Sequence, residues 1–133
     1  MRTVAAGILE RDGRILVCRR RADQNHAFKW EFPGGKVEPN ETTSAALVRE
    51  LDEELGIQAR CGPEVMRYEF AYPGRRPLLL VFYAVSEWTG EIENRIFDRI
   101  EWIEPHRLRE FDFLEGDEQF IASYLPATEN GTL

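Results

Sequence analysis

The sequence predicts a single α/β domain in which helices cover a mixed β-sheet. Three observations support this fold class: short apolar segments of strand length recur along the chain, one amphipathic helix lies between them, and a second helix follows near the C terminus. The 133 residues, of which 43% are hydrophobic, are enough for one core without disulfides or a structural metal. We therefore treat residues 1–133 as one domain.

The chain opens with a predicted pair of antiparallel strands. The apolar runs Val4–Leu9 and Ile15–Cys18 flank Asp12-Gly13, a dipeptide that favours a tight hairpin turn. A polar loop over residues 21–29 and a short strand at Trp30–Phe32 follow. Further strands are predicted at residues 57–61, 64–72, 78–88 and 99–103, helices at 105–109 and 117–125, and a frayed tail at 126–133.

A longer helix is predicted in the middle of the chain. Thr42 has the hydroxyl that suits an N-cap, and Gly56 is the expected C-terminal stop. At about 100° per residue, the apolar side chains of this helix fall on one face, which we expect to contact the core. These core-facing residues are Leu47, Val48, Leu51 and Leu55.

Three glutamates lie on the arc next to this apolar face. Glu50, Glu53 and Glu54 are three and four residues apart, so their carboxylates can converge. Like charges at this spacing destabilise an isolated helix by about 0.2–0.5 kcal/mol per pair, and a bound divalent cation would reverse that sign. Oxygen-only ligands suit Mg²⁺ or Mn²⁺. The alternative interpretation is a solvated acidic face without a ligand.

A glycine turn precedes the helix. Pro33-Gly34-Gly35 allows positive φ angles and a close approach of the backbone to a ligand. Because the turn lies just before Glu41 and the acidic helix, it would bring backbone groups and a further carboxylate toward the three glutamates. This arrangement favours a functional site over a solvated helix face.

The segment from Gly35 to Ile57 resembles the Nudix box, the sequence motif of the Nudix hydrolases. Every fixed position of the motif is matched at its proper spacing. The resemblance implies the Nudix fold, which is an α/β/α sandwich with a central mixed β-sheet, and a strand-loop-helix-loop catalytic unit. The matching residues are Gly35, Glu41, Arg49, Glu50, Leu51, Glu53, Glu54, Gly56 and Ile57.

The resemblance also implies roles within the box. Metal ligands would be Glu50, Glu53 and Glu54, and the Gly34 carbonyl can join them. Glu41 and Arg49 would pair to orient the carboxylates. The implied catalytic set is therefore Glu41, Arg49, Glu50, Glu53 and Glu54.

Similarity to the MutT-like branch of the family extends over nearly the whole chain. Its outer motifs are Arg19-Arg20, the stretch from Trp30 to Lys36, the pair Glu101-Trp102 and the helix that begins near Asp117. The implied substrate-binding residues are Arg20, Phe32, Lys36 and Asp117.

Each substrate-binding assignment has an alternative. The run Arg19–Arg21 can be a solvated strand edge, although an arginine at position 20 would lie beside the nucleotide and contact phosphate or base. Phe32 can belong to the core or lie in the base pocket. Asp117 can be a helix cap instead of a base contact. Lys36, with Arg20, would add positive charge around the reacting phosphates.

Two positions depart from the MutT-like pattern. The residue corresponding to Asp117 is often Asn, which donates and accepts hydrogen bonds, whereas an ionised Asp only accepts them. A glutamate often lies near the position of Ile96, where it serves as a further metal ligand or base. Glu93 and Asp98 flank Ile96 and could replace it if the loop shifts. The general base therefore stays open among Glu53, Glu54 and Asp98.

The expected activity is Mg²⁺-dependent hydrolysis of a nucleoside triphosphate to the monophosphate and pyrophosphate. Substrates could be 8-oxo-dGTP, CTP or a damaged deoxycytidine triphosphate. Within the family, ADP-ribose, a nucleotide sugar or a dinucleoside polyphosphate are alternatives, because the box recognises only the diphosphate. A non-catalytic nucleotide-binding module is a further alternative, although such a module would be expected to lack box glutamates and all of them are intact.

Charge and cysteine content restrict the partners. A net charge of −7 argues against binding to nucleic-acid polymers or anionic membranes, while a small nucleotide carried with Mg²⁺ is compatible. Cys18 and Cys61 have neither CxxC nor zinc spacing, and we interpret both as buried apolar residues in a reducing cytoplasm. No signal-peptide h-region and no run of 18 apolar residues occurs. We expect a cytoplasmic monomer or homodimer.

Overall fold

A computed structural model describes residues 1–129 as two sheets with two α-helices and one 3₁₀ helix. The strands are β1 Arg2–Arg11, β2 Arg14–Arg19, β3 Trp30–Glu31, β4 Gly34–Lys36, β5 Gln58–Arg60, β6 Glu64–Phe70, β7 Leu78–Val85, β8 Glu87–Thr89 and β9 Arg99–Ile103. The α-helices are α1 Thr43–Leu55 and α2 Glu115–Glu129, and the 3₁₀ helix is Pro105–Glu110.

The larger sheet is built around β1. This strand pairs in parallel with β7, from Arg2 opposite Leu78 to Leu9 opposite Val85, and antiparallel with β2 and β4. β6 pairs antiparallel with β7, and β3 and β9 pair antiparallel with β2. β5 and β8 form a separate two-stranded sheet. The predicted mixed sheet is therefore confirmed.

Each face of the sheet is covered by one α-helix. On one face, α1 packs its leucines against Ala5 and Leu9 of β1. On the other, Phe120 of α2 packs against Ile8 and Phe82. Because two buried clusters lie on opposite sides of one sheet, the architecture is the predicted α/β/α sandwich.

The predicted faces and ends of α1 agree closely with the structure. The Thr42 hydroxyl accepts a hydrogen bond from the Ala45 N–H at 3.1 Å, and Gly56 ends the helix at φ 71°. Leu47, Leu51 and Leu55 are fully buried, whereas Val48 is only partly buried. The edge of the predicted apolar face that carries Val48 is therefore partly exposed to solvent.

Other boundaries differ from the sequence prediction. The strand expected over residues 78–88 is two strands, β7 and β8, which belong to different sheets. α2 begins at Glu115, two residues before the predicted start, and continues to Glu129 where a tail from Pro126 was expected. The remainder of that predicted tail, residues 130–133, lies outside the described residues. Cys18 is buried as expected, and Cys61 is partly buried.

Over residues 1–129, neither α-helix is long and apolar enough to cross a bilayer.

Candidate active site

The glycine turn becomes the short strand β4, which lies between β1 and α1. Gly34 has φ 149°, and a Cβ atom there would lie 2.0 Å from the Ala5 carbonyl oxygen. A Cβ atom on Gly35 would lie 2.5 Å from the Glu50 carboxyl carbon. Gly34 therefore requires glycine, and the close approach at Gly35 places the Glu50 carboxylate directly against the backbone.

Arg49 connects the loop before α1 to the glutamates of that helix. Its guanidinium donates to both Glu41 carboxylate oxygens at 2.8 and 3.0 Å, to Glu50 at 2.9 Å, and to the Lys36 carbonyl at 3.1 Å. This guanidinium and the Glu38 N–H lower the pKa of Glu41 to about 2. The predicted Glu41–Arg49 pair is therefore present, and the same guanidinium also orients the Glu50 carboxylate through a hydrogen bond.

Glu50 and Glu54 form the closest carboxyl pair of the site. Glu54 is only 7% exposed, accepts a hydrogen bond from the Gly34 N–H at 3.1 Å, and is hydrogen-bonded to Glu50. Burial, followed by repulsion from the Glu50 carboxylate, raises the pKa of Glu54 to about 9, against the opposing effect of the Gly34 N–H. Without a cation, this pair therefore retains a proton near neutral pH.

Glu53 is much more exposed than Glu50 and Glu54. Its side chain is 58% exposed, and its carboxylate lies 3.4 Å from Arg49. In the part of the chain that is described, no three acidic, histidine or cysteine side chains converge as a metal cluster. The predicted ligands Glu50 and Glu54 are therefore gathered, whereas Glu53 is not.

The adjacent carboxyl groups of Glu50 and Glu54 nevertheless fit a divalent cation. Mg²⁺ typically takes one or two protein carboxylates and completes its shell with waters and substrate phosphates. Glu54 holds a proton mainly because it is buried and secondly because Glu50 repels its charge, and a cation that replaces this proton removes the repulsion between the two carboxylates. Glu50 and Glu54 are the residues that would hold it. Gly34 contacts Glu54 through its N–H, and the role of its carbonyl stays a prediction.

A cavity of about 930 Å³ extends from Glu54 across the sheet. Its floor is formed by β1, β4 and β7, and the start of α2 forms one wall. Five residues singled out from the sequence share this cavity with Glu54: Arg20, Phe32, Gly34, Lys36 and Asp117. The structure therefore brings the predicted substrate-binding residues to one site.

Arg20 and Glu31 form an ion pair inside the cavity. The Arg20 guanidinium lies 3.1 Å from the Glu31 carboxylate and donates to the Asn25 carbonyl at 2.8 Å. Burial raises the pKa of Glu31, and the Arg20 charge opposes that shift. Glu31 was missed in the sequence, although its alternation with the apolar Trp30 and Phe32 marks it as facing a different side of the strand.

Phe32 is both a core residue and a cavity wall. It is 4% exposed and packs against Phe113 and Phe120 with ring centroids 5.1 and 5.5 Å apart. One part of the ring also lines the cavity. The two interpretations of Phe32 are therefore compatible, whereas Trp30, at 8% exposed, is a core residue outside the cavity lining.

Asp117 lies in the first turn of α2, so it is not the residue that precedes the helix. Its carboxyl accepts a hydrogen bond from the Phe32 N–H. Burial, followed by repulsion from Glu31, raises the pKa of Asp117 well above its usual range. The Phe32 backbone therefore holds the Asp117 carboxyl beside the cavity.

The loop from Glu93 to Asp98 supplies no further carboxylate to the glutamate pair. Asp98 accepts a hydrogen bond from the Arg19 Nε at 2.7 Å, and Glu93 pairs with Arg95 at 3.6 Å. Ile96 lines the cavity, but neither acidic residue does. Asp98 is therefore a poor candidate for the general base, which leaves Glu53 and Glu54.

Cations without partners are concentrated at the cavity. Among residues 1–129, four Lys or Arg side chains line this cavity without an ion pair or a ring contact. Arg19 and Arg21, in contrast, pair with Asp98 and Asp23. The unpaired cations are Arg2, Lys36, Arg75 and Arg76. A protein with a net charge of −7 thus presents its free positive charge where an anionic ligand would enter.

Comparison with known proteins identifies the family. The NUDIX domain model matches residues 1–124. The chain belongs to the Nudix family. The match covers both sheets, α1 and most of α2, and it confirms that the chain is a Nudix hydrolase. Nudix hydrolases generally need a divalent metal, which agrees with the carboxyl pair.

Curated relatives of this Nudix domain are nucleotide hydrolases. It is 36% identical to the CTP pyrophosphohydrolase of Escherichia coli strain K12 over 122 residues, which cover 92% of this chain and 90% of the relative. It is 39% identical to the 8-oxo-dGTP diphosphatase of Haemophilus influenzae over 128 residues, covering 96% and 93%. The chain therefore spans nearly the full length of both relatives.

A solved structure shows the same architecture. The solution structure of the Escherichia coli ORF135 protein superimposes with a TM-score of 0.85 at 35% identity, covering 96% of this Nudix domain and 91% of that chain. A MutT Nudix hydrolase from Burkholderia pseudomallei, at 24% identity and a TM-score of 0.81, shares the fold.

Proposed function

We propose that this Nudix domain hydrolyses nucleoside triphosphates to nucleoside monophosphate and pyrophosphate with Mg²⁺ as the cofactor. The observation that carries the proposal is a single cavity that joins Glu54, one member of the glutamate pair, to an aromatic and polar wall large enough for a nucleoside. Candidate substrates are 8-oxo-dGTP and other damaged triphosphates, or CTP. The names of the two curated relatives support both CTP and 8-oxo-dGTP as candidate substrates.

In this proposal, Glu50 and Glu54 hold the cation beside the reacting phosphates. When bound, Mg²⁺ neutralises charge on phosphate oxygens and lowers the pKa of a bound water. Arg49 and Glu41 keep Glu50 in place, and the Gly34 N–H does the same for Glu54. Glu53 and Glu54 remain the candidates for the general base.

The protein's free cations complement the polyphosphate. Lys36 lies on β4 next to the glycine turn, and Arg2, Arg75 and Arg76 line the other side of the cavity. Their charges oppose the repulsion between a triphosphate and a protein of net charge −7. A small nucleotide is therefore the proposed partner, in a cytoplasmic monomer or homodimer that binds neither nucleic-acid polymers nor membranes.

Product analysis tests the bond that is cleaved. We expect hydrolysis of a nucleoside triphosphate with Mg²⁺ in ¹⁸O water to yield monophosphate and pyrophosphate, with the label in one of these two products. Chromatography and mass spectrometry of the products make the measurement. Orthophosphate and nucleoside diphosphate as main products would identify a terminal phosphatase and contradict the proposal.

Asp117 is the proposed contact for the base edge. If it lines the base site, we expect Asp117→Ala to reduce discrimination among bases by about ten- to a hundredfold in kcat/KM, with less effect on the poorest substrate. We expect Asp117→Asn to change the ranking of guanine against cytosine triphosphates. The measurement is kcat/KM for 8-oxo-dGTP, dGTP, CTP and dCTP. A lower melting temperature with an unchanged ranking would restrict Asp117 to a structural role.

A further inference from the structure

The first turn of α2 carries Asp117 into the cavity without a side-chain cap from the residue before it. Leu114 precedes the helix and has no side-chain oxygen to accept a bond from the first N–H groups. These groups need partners from elsewhere, because an unpaired buried N–H is costly. Two tyrosines from a different part of the chain contact this turn, and one of them, Tyr72, accepts from a first-turn N–H.

Tyr68 of β6 and Tyr72, just after it, both contact Gly116. The Tyr72 hydroxyl accepts a hydrogen bond from the Gly116 N–H at 3.1 Å. The Tyr68 hydroxyl donates to the Gly116 carbonyl at 2.5 Å and accepts from the Phe120 N–H at 3.2 Å. Both backbone groups of the residue next to Asp117 are therefore held by tyrosine hydroxyls.

Packing fixes the two tyrosine rings. Tyr68 stacks on Phe82 with ring centroids 5.5 Å apart, and Tyr72 packs edge-on against Phe70 at 4.8 Å. A Cβ atom on Gly116 would lie 2.9 Å from the Tyr72 oxygen, so the helix start approaches the hydroxyl as closely as glycine allows. Burial raises the pKa of both tyrosines, so both hydroxyls stay protonated at neutral pH.

We propose that Tyr68 and Tyr72 are positioning residues that set base selection by fixing the Asp117 carboxyl in the cavity. The inference rests on the proposed role of Asp117 as a base contact and extends it to residues that act through the helix backbone. Tyr68 is the more informative of the two, because Tyr72 itself lines the cavity whereas Tyr68 is outside its lining. The hydrogen bonds of the Tyr68 hydroxyl go to the α2 backbone, so an effect on base choice of removing that hydroxyl alone passes through α2.

The test removes one hydroxyl at a time in two backgrounds. Tyr68→Phe and Tyr72→Phe are made in the natural chain and in Asp117→Ala, and kcat/KM is measured for dGTP, 8-oxo-dGTP, CTP and dCTP. In the natural background we expect each change to alter the guanine-to-cytosine ratio by about three- to tenfold. In the Asp117→Ala background we expect neither to alter it further, since the positioned group is gone.

Tyr124→Phe is the matched control. This tyrosine also lies on α2, and its hydroxyl donates to Glu10 at 3.3 Å, outside the cavity lining. We expect it to leave the ratio unchanged. Circular dichroism and the melting temperature verify folding of every variant, and Tyr72→Phe serves as the second test if Tyr68→Phe does not fold.

The outcomes separate this inference from the proposed function. A ratio that responds to Asp117→Ala but not to either tyrosine change overturns the inference alone. A ratio that changes equally with and without Asp117 also overturns it, because the tyrosines would then act independently of that carboxyl. A guanine-to-cytosine ratio that is unaffected by Asp117→Ala overturns both the proposed base contact of Asp117 and the positioning role of the two tyrosines. Product analysis tests the hydrolysis reaction separately.

Discussion

Glu54→Gln is expected to lower kcat by at least about a hundredfold, which corresponds to roughly 3 kcal/mol of transition-state stabilisation. The amide keeps the shape of the side chain but cannot carry the negative charge that binds a cation. Glu54 is buried, contacts Glu50 and the Gly34 N–H, and lines the cavity, so water cannot easily replace its carboxylate. Steady-state kinetics at saturating Mg²⁺ make the measurement.

Two variants on the same helix provide the comparison. Glu53→Gln should cost less, because Glu53 is 58% exposed and outside the gathered pair. Asp52→Asn should leave kcat within about twofold, since the Asp52 side chain is exposed and outside the cavity lining. Equal losses in Glu53→Gln and Glu54→Gln would mean that Glu53 is a further metal ligand or the general base in the working enzyme.

Removal of divalent cations is expected to abolish activity. Without a cation, the Glu50–Glu54 pair has no positive charge to present to the phosphates, and Arg49 is already committed to Glu41. EDTA should therefore reduce turnover to background, and excess Mg²⁺ should restore it. Mg²⁺ should also raise the melting temperature, because a ligand that binds only the folded state stabilises it. Full turnover in EDTA would contradict a metal-dependent reaction.

The central helix could be predicted from the sequence almost completely. Its cap, its stop and its apolar face all depend on residues close together in the chain, and Thr42, Gly56 and the leucines behave as local rules require. The Nudix box lies on the same segment, so the resemblance and the periodicity indicated the same structure. The Arg49 contacts also fall within this segment.

The start of α2 could not be predicted in the same way. Asp117 looked like a cap because it is an acidic residue before an apolar stretch. The helix instead begins at Glu115, where Tyr68 and Tyr72 satisfy Gly116 from more than 40 residues away in the chain. A local pattern contains no information on such a contact, so the two-residue error has a physical cause.

The ion-pair partners of the charged residues could not be predicted from the local sequence either. Arg19, Arg20 and Arg21 are adjacent in sequence, yet only Arg20 lines the cavity, while Arg19 pairs with Asp98 and Arg21 with Asp23. The partners of Arg19 and Arg20 become visible only when β9 and β3 flank β2. Composition likewise gave a net charge of −7 but could not show that the unpaired cations collect at one cavity.

The most direct test of the glutamate pair is the number of protons released when Mg²⁺ binds. Since burial raises the pKa of Glu54 to about 9, the metal-free pair holds a proton at pH 7, and a cation must displace it. Calorimetric titration of Mg²⁺ in two buffers with different ionisation enthalpies measures this number. The prediction is about one proton per bound ion for the natural chain and close to none for Glu54→Gln. Mg²⁺ binding by Glu54→Gln with the affinity and proton release of the natural chain would contradict the assignment of this pair as the cation site.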